Sequence, residues 1–281
     1  MAQSALPWPQ RNRSIAPAAR SMPEPWWLLS LPLLLFLALP ILAMFLRTPP
    51  ANLLANLSNP QVFQAISLSF MTTLVTLGIT LVFGTPVAYL LARRDFPFRR
   101  AVDTLLDLPT VLPPSVAGVA LLMAFGRRGL VGDWLEDWGI HLAFTQTAVI
   151  LAQTFVAAPF YVKAATLGFA GVDKDLEQAA ALDGAHSRQV FRFITLPLSW
   201  TALLSGAVMT WARALGEFGA TIIFAGNYPG RTQTMPLAIY IGFELNLDVA
   251  LTLAVILVGC SFVVLMVVKG LLQRDQEIHG T

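Results

Sequence analysis

The sequence predicts an all-α integral membrane protein with six transmembrane helices. Its 281 residues are 56% hydrophobic and only 12% charged, whereas soluble domains carry about 25% charged residues. A helix needs about 20 apolar residues to cross a bilayer, and runs of that length are too long for the strands of a membrane β-barrel. Four runs without a charged residue meet this length: 26–46, 63–92, 108–125 and 249–268.

The chain before the first span, residues 1–25, is rich in Pro, Ser, Ala and Arg and is predicted to be a disordered tail. Residues 26–64 are predicted to form the first transmembrane helix and an extracytoplasmic loop, with Trp26 and Trp27 at the interface. This run is too long for the apolar part of a signal peptide, and no clear cleavage site follows it. We therefore expect the first span to be retained.

Residues 65–269 are predicted to form the transmembrane core, followed by a polar tail at 270–281. The third predicted span, 102–125, contains prolines, and each proline removes a backbone donor. This span must therefore be kinked or broken, and broken spans often line solute pathways. A purely structural kink is the alternative. The segment 226–247 begins as a loop and then becomes apolar enough to pack on the bundle. The five predicted core spans are 65–92, 102–125, 143–167, 199–224 and 248–269.

The distribution of basic residues predicts the orientation of the spans. The N-terminal tail, the 93–100 loop, the 163–192 region and the C-terminus together hold 13 Lys and Arg, against four in the loops of the other side. Because cytoplasmic loops are enriched in Lys and Arg, both termini and the 163–192 region are predicted to be cytoplasmic. The same pattern argues against a nucleic-acid partner.

The segment 177–197 is the most polar long stretch between the apolar runs, and it lies within a predicted cytoplasmic loop at 173–197. Asp173 is a plausible N-cap, Asp175 and Glu177 complement the dipole of a first helical turn, and Gly184 suits a helix C-terminus. Ser187 could cap a second helix. The segment is therefore predicted to form two short helices joined at a glycine, and by these features alone an ordinary connector is the simplest interpretation.

This segment resembles the EAA coupling loop of bacterial ABC importer permeases, whose pattern is E-A-A-x-x-x-G, nine residues, then I-x-L-P. Gln178 stands where that family has Glu, and Glu177 precedes it. The resemblance implies the type I ABC importer permease fold and contact of this coupling loop with an ATPase. The candidate coupling residues are Glu177, Gln178, Ala179, Ala180, Gly184, Ile194, Leu196 and Pro197.

Residues 106–118 and 211–240 are similar to the corresponding segments of molybdate permeases. The resemblance implies a homodimer in the bacterial inner membrane that moves molybdate, with sulfate and tungstate as alternatives. It also implies a cytoplasmic ABC ATPase dimer, which would bind ATP and Mg, and an extracytoplasmic oxyanion-binding protein. None of the three lysines belongs to a Walker A motif, so we expect no cofactor and no ATPase site in this chain.

The candidate translocation residues lie in the third and fifth spans. Arg213 and Glu217 are four residues apart, so an intramembrane ion pair is one interpretation and an oxyanion contact by Arg213 is another. An ion-coupled secondary transporter is the alternative class, and a membrane enzyme is a weaker one. The histidines lack metal-ligand spacing. The candidates are Thr110, Pro113, Pro114, Ser115, Arg213 and Glu217.

Overall fold

The computed structural model describes residues 25–279, and the side-chain environments of residues 26–270. The predicted disordered tail at 1–25 therefore lies outside the described residues, apart from Pro25. The chain divides into two compact units, with the boundary between Leu46 and Arg47. Helix α1 (Pro25–Arg47), of which all but Arg47 belongs to the first unit, is long and apolar enough to cross a membrane. Its large apolar side chains are exposed, as expected for a lipid-facing helix.

The described residues of the second unit form helices joined by loops, without a strand, which confirms the all-α fold class. Its last helix continues beyond the predicted span into the predicted tail. The helices before the coupling loop are α2 (Pro50–Leu57), α3 (Pro60–Arg93), α4 (Arg99–Val111), α5 (Pro114–Phe125), α6 (Gly132–Asp137) and α7 (Gln146–Ala170). The remaining helices are α8 (Lys174–Leu182), α9 (Ser187–Val190), α10 (Leu196–Leu198), α11 (Trp200–Leu215), α12 (Gly219–Phe224), α13 (Met235–Leu245) and α14 (Leu247–His279).

Four of the described helices, α1, α3, α7 and α14, can each cross a membrane alone. Two bent pairs, α4 with α5 and Ser187–Leu198 with α11, raise the number to six if each pair is one span. The six-span prediction thus corresponds to four continuous helices and two interrupted ones.

Helices α3, α7 and α11 form the centre of the second unit, and hydroxyl groups help to join them. Thr85 and Tyr161 share a hydrogen bond of 2.7 Å between α3 and α7. The Thr210 hydroxyl donates to the carbonyl of Ala157, which joins α11 to α7. Interhelical hydrogen bonds of this kind hold membrane helices together where the hydrophobic effect provides little driving force. The centre is therefore polar in places although its helices are long and apolar.

The third span is broken, as the prolines predicted. Helices α4 and α5 meet at an angle of 118°, and Leu112 and Pro113 between them have extended backbone conformations. Helix α4 has 13 residues, which is about 20 Å of helix. Because the chain turns by more than a right angle, the pair forms a sharp bend rather than a mildly kinked helix.

The fifth span was predicted as one helix over 199–224, and this prediction is wrong. Helix α11 ends at Leu215, and a separate short helix, α12, begins at Gly219. The Glu217 side chain lies between them and accepts a hydrogen bond from the backbone N–H of Ala220 at 2.8 Å. A capping carboxylate favours a new helix start over continuation of the old helix.

Helices α5 and α12 pack with little space between their backbones. A Cβ at Gly118 would lie 2.8 Å from Ile223 Cβ and 2.9 Å from the carbonyl oxygen of Ala220. A Cβ at Gly219 would lie 2.6 Å from Pro114 Cβ. The close approach of the two helices therefore requires both glycines. It also brings the interruption between α4 and α5 close to the interruption between α11 and α12.

Gly118→Ala is expected to lower the melting temperature of the detergent-solubilised protein, because the backbone of Ala220 cannot move aside. The cost of such overpacking is about 1–3 kcal/mol. Gly78→Ala in α3 is the control, since no described atom lies within 4 Å of a Cβ there. Equal melting temperatures for the two variants would contradict the proposed close packing.

Helix α13 packs on the bundle, as predicted for the apolar end of segment 226–247. Met235 and Leu237 are fully buried. The Ser69 hydroxyl of α3 accepts a hydrogen bond of 2.7 Å from the backbone N–H of Met235, which satisfies a free donor at the start of α13.

Candidate functional site

The coupling loop forms two exposed helices, α8 and α9, joined at Gly184. Asp173 caps α8 as predicted, and its carboxylate accepts from the backbone N–H of Asp175 at 2.9 Å. At the other end Gly184 has φ +93°, and the N–H of Ala185 donates to the carbonyl of Ala180 at 3.0 Å. This is a Schellman motif, whose left-handed residue is usually glycine. The predicted helix–glycine–helix arrangement is confirmed.

The second helix begins one residue earlier than predicted. His186, not Ser187, is the N-cap residue, and the Gln189 side chain accepts from the backbone N–H of His186 at 3.0 Å. Helix α9 continues into a π-helical turn, Phe191–Thr195, and then into α10. The axis of this continuous segment, Ser187–Leu198, is bent by 70° from that of α11. The coupling loop therefore joins α11 through a sharp corner.

The candidate coupling residues divide into an exposed and a partly buried group. Within the part of the chain that the structure describes, α8 and α9 contain no buried residue. Two large apolar side chains that the motif does not include are also exposed, Leu182 by 89% and Phe193 by 68%. The exposed candidates are Gln178, Ala179, Gly184 and Pro197, and the partly buried ones are Glu177, Ala180, Ile194 and Leu196.

A shallow groove lies between the two helices of the coupling loop. Its volume is about 420 Å³, and Ala180, Gly184, Gln189 and Phe193 contribute to its lining. Small residues on one side leave the backbone of α8 accessible, while Phe193 provides an apolar side. Such a surface can receive an amphipathic element of another protein.

The candidate pathway residues of the third span lie near the break between α4 and α5. Thr110, Pro113, Pro114 and Ser115 are all exposed in the single chain. The Thr110 hydroxyl donates to the carbonyl of Asp107 at 2.7 Å, which satisfies it within its own helix. These residues are free to face a second copy or a solute path.

Arg213 and Glu217 form the ion pair that their spacing predicted. Arg213 Nη1 lies 2.7 Å from Glu217 Oε2, and the side chains are 29% and 1% exposed, respectively. The other carboxylate oxygen, Oε1, caps α12 through Ala220. Glu217 therefore has two partners within the chain, and Arg213 is the more accessible member of the pair.

A second ion cluster joins α4 to α7. Lys163 Nζ lies 2.7 Å from a carboxylate oxygen of Asp103 and 3.0 Å from one of Asp107. Loop arginines are the partners that the sequence favours for these aspartates, whereas the structure pairs them with Lys163. The sequence contains a signal for this pairing. Lys163 is the one lysine in the predicted fourth span, and two carboxylates one helical turn apart can both bind its ammonium group. No group of three potential metal ligands occurs among the described residues.

The described helices have the fold of type I ABC importer permeases. A chain in the solved structure described as a bacterial alginate ABC transporter in complex with an alginate pentasaccharide-bound periplasmic protein matches with a TM-score of 0.67. The match covers 90% of this chain and 96% of that chain at 19% identity. At that identity the likeness concerns the fold alone.

Sequence comparison identifies the family. Residues 84–276 match the model of the binding-protein-dependent transport system inner membrane component, and the chain belongs to this family. It is 40% identical to the molybdenum transport system permease protein ModB of Escherichia coli K12, covering 80% of this chain and 99% of the relative. It is 36% identical to the molybdate/tungstate transport system permease protein WtpB of Thermococcus kodakarensis, covering 86% and 92%. The resemblance inferred from the coupling loop is confirmed.

Proposed function

We propose that this protein is the permease subunit of an ATP-driven importer that moves molybdate into the cytoplasm. The main support for this proposal is the exposed helix pair α8–α9, because it offers a partner protein a surface directly connected to the transmembrane helices. The names of the relatives supply the substrate: one relative is called a molybdenum permease and another a molybdate/tungstate permease. Tungstate is therefore the nearest alternative substrate, followed by sulfate.

The partners follow from the same assignment. A separate ATPase dimer would contact the coupling loop through Gln178, Leu182, Gly184 and Phe193, which are exposed. An oxyanion-binding protein would deliver substrate on the opposite side of the membrane, and both termini would lie in the cytoplasm. Each partner would bias the permease by binding one of its two arrangements more tightly.

The translocation pathway would run between two copies of the chain along the exposed face of the α4–α5 bend. Helix α5 begins there at Pro114, and Gly219 at the start of α12 lies against it. Broken helices expose backbone N–H groups at their N-termini, which favours passage of an anion. Arg213, whose charge is compensated by Glu217, would serve mainly as the structural partner of that carboxylate.

Reconstituted vesicles test this proposal. The permease, its ATPase and its binding protein are combined in liposomes, and uptake of radiolabelled molybdate is measured with ATP and with ion gradients. We expect uptake to require ATP and both partners, and to be inhibited more strongly by tungstate than by sulfate. Uptake driven by an ion gradient without the ATPase would contradict the proposal and favour a secondary transporter.

A further inference from the structure

Three segments of the chain meet at one carboxylate oxygen of Glu177. Arg93 Nη2, at the end of α3, donates to Glu177 Oε1 at 3.0 Å. The Thr195 hydroxyl, in the π-helical turn, donates to the same oxygen at 2.6 Å. The same nitrogen of Arg93 also donates to the carbonyl of Val172 at 2.8 Å, just before α8. The start of the coupling loop, its end and the third helix are thus bonded to one another.

This network is buried although it lies at the end of the helix bundle. The side chains of Arg93 and Glu177 are 6% and 17% exposed, and Thr195 is fully buried. Removing one partner of a buried charge leaves the other charge without compensation, which is unfavourable. The three segments are therefore favoured to move together, because separating any one of them breaks the network.

Few other contacts fix α8 to the transmembrane helices. Among the described residues, α8 contains no buried side chain, and it packs mainly on α9 and the π-helical turn. Glu177 is held inside this network, whereas its neighbour Gln178 is exposed. The adjacent candidate coupling residues Glu177 and Gln178 therefore have different environments, which indicates different roles.

We propose that Glu177 is a positioning residue that fixes the coupling loop to α3 and, through Thr195, to the connection with α11. A displacement of α8 would then reach two transmembrane helices through one side chain. In this assignment Glu177 does not contact the ATPase; Gln178 and Leu182 do. The inference rests on the proposed function, since it assumes that the coupling loop receives the motion of an ATPase.

The test uses the complete importer in liposomes and measures molybdate taken up per ATP hydrolysed, together with co-purification of the ATPase. Glu177→Ala removes the acceptor and is expected to lower the uptake per ATP about tenfold, within the range seen for residues that couple distant sites. ATPase co-purification is expected to be unchanged. Glu177→Gln keeps an oxygen acceptor at this position and should restore part of the uptake per ATP.

Thr195→Val provides a second test that leaves no buried charge unpaired, and it should lower the ratio about threefold by removing one hydrogen bond. Arg99→Gln is the control, because Arg99 forms an exposed ion pair with Asp95 at 3.0 Å, with the side chains 46% and 97% exposed. Surface pairs contribute little, so its ratio should be normal.

Three kinds of outcome would overturn the assignment. An unchanged ratio in Thr195→Val or in folded Glu177→Ala would show that the network does not transmit motion. Loss of ATPase co-purification in Glu177→Ala, to the extent caused by Leu182→Asp, would make Glu177 a contact residue. An equal loss in Arg99→Gln would show a nonspecific effect. If Leu182→Asp transports normally, the proposed function of the loop fails instead.

Discussion

Gly184→Val is expected to abolish most transport while leaving the transmembrane helices inserted and folded. Gly184 has φ +93°, a conformation that a β-branched residue adopts only at a cost of about 1–3 kcal/mol. Crowding does not contribute, because no described atom lies within 4 Å of a Cβ at this position. The strain is relieved when α9 changes its direction relative to α8, which alters the surface offered to the ATPase. Molybdate uptake in liposomes measures this effect.

Gly139→Val is a matched control for that experiment. Gly139 also has a positive φ, +71°, and no described atom lies within 4 Å of its Cβ. It follows α6, far along the chain from the coupling loop. We expect the control to transport normally although its backbone strain is similar. Normal transport by Gly184→Val, or an equal loss in both variants, would contradict the role assigned to Gly184.

Replacing Arg213 or Glu217 alone is expected to reduce the yield of folded protein strongly. Arg213→Gln leaves the carboxylate of Glu217 buried without its cation, and breaking a buried ion pair in this way costs about 3–5 kcal/mol. Glu217→Gln leaves the guanidinium without its anion. The double variant contains no buried charge at this point, and the amide oxygen of Gln can still accept from the N–H of Ala220. We therefore expect the double variant to recover much of the folded yield and melting temperature.

Transport by the folded double variant separates the two interpretations of Arg213. If the pair is structural, uptake returns together with stability, and this is the result that we expect. A folded double variant that does not transport would assign Arg213 a contact with the oxyanion. The control is Arg127→Gln with Glu136→Gln, an exposed pair at 3.4 Å, whose removal should change stability little.

The sequence was sufficient to predict the features that depend on neighbouring residues. Long apolar runs predicted α3, α7 and α14, and Asp173 and Gly184 predicted the ends of α8, because caps act over a few residues. The spacing of Arg213 and Glu217 predicted their pairing, although Glu217 lies just beyond the end of α11 and not on its helical face.

Features that depend on distant parts of the chain could not be predicted in this way. Glu177 is bonded to a residue 84 positions away, and Lys163 to one 60 positions away. The break between α11 and α12 depends on a local cap instead, but the apolar composition of the segment favours one continuous helix over the break. The angle of 118° between α4 and α5 likewise reflects packing around the break, because prolines indicate where a helix breaks and not its new direction.

The π-helical turn at Phe191–Thr195 takes up one extra residue in the connection between the coupling loop and α11. A π-helical turn contains one residue more than the α-helical turn it replaces, and each residue of an α-helix adds about 100° of rotation. Deleting one residue from the π-helical turn would convert it to an α-helical turn and keep the rotational phase of the helical segments on either side. Deleting one residue from α9 instead would turn α8 by more than a quarter of a revolution about the axis leading to α10. Loss of one residue from this connection should therefore be tolerated within Phe191–Thr195 and not within α9.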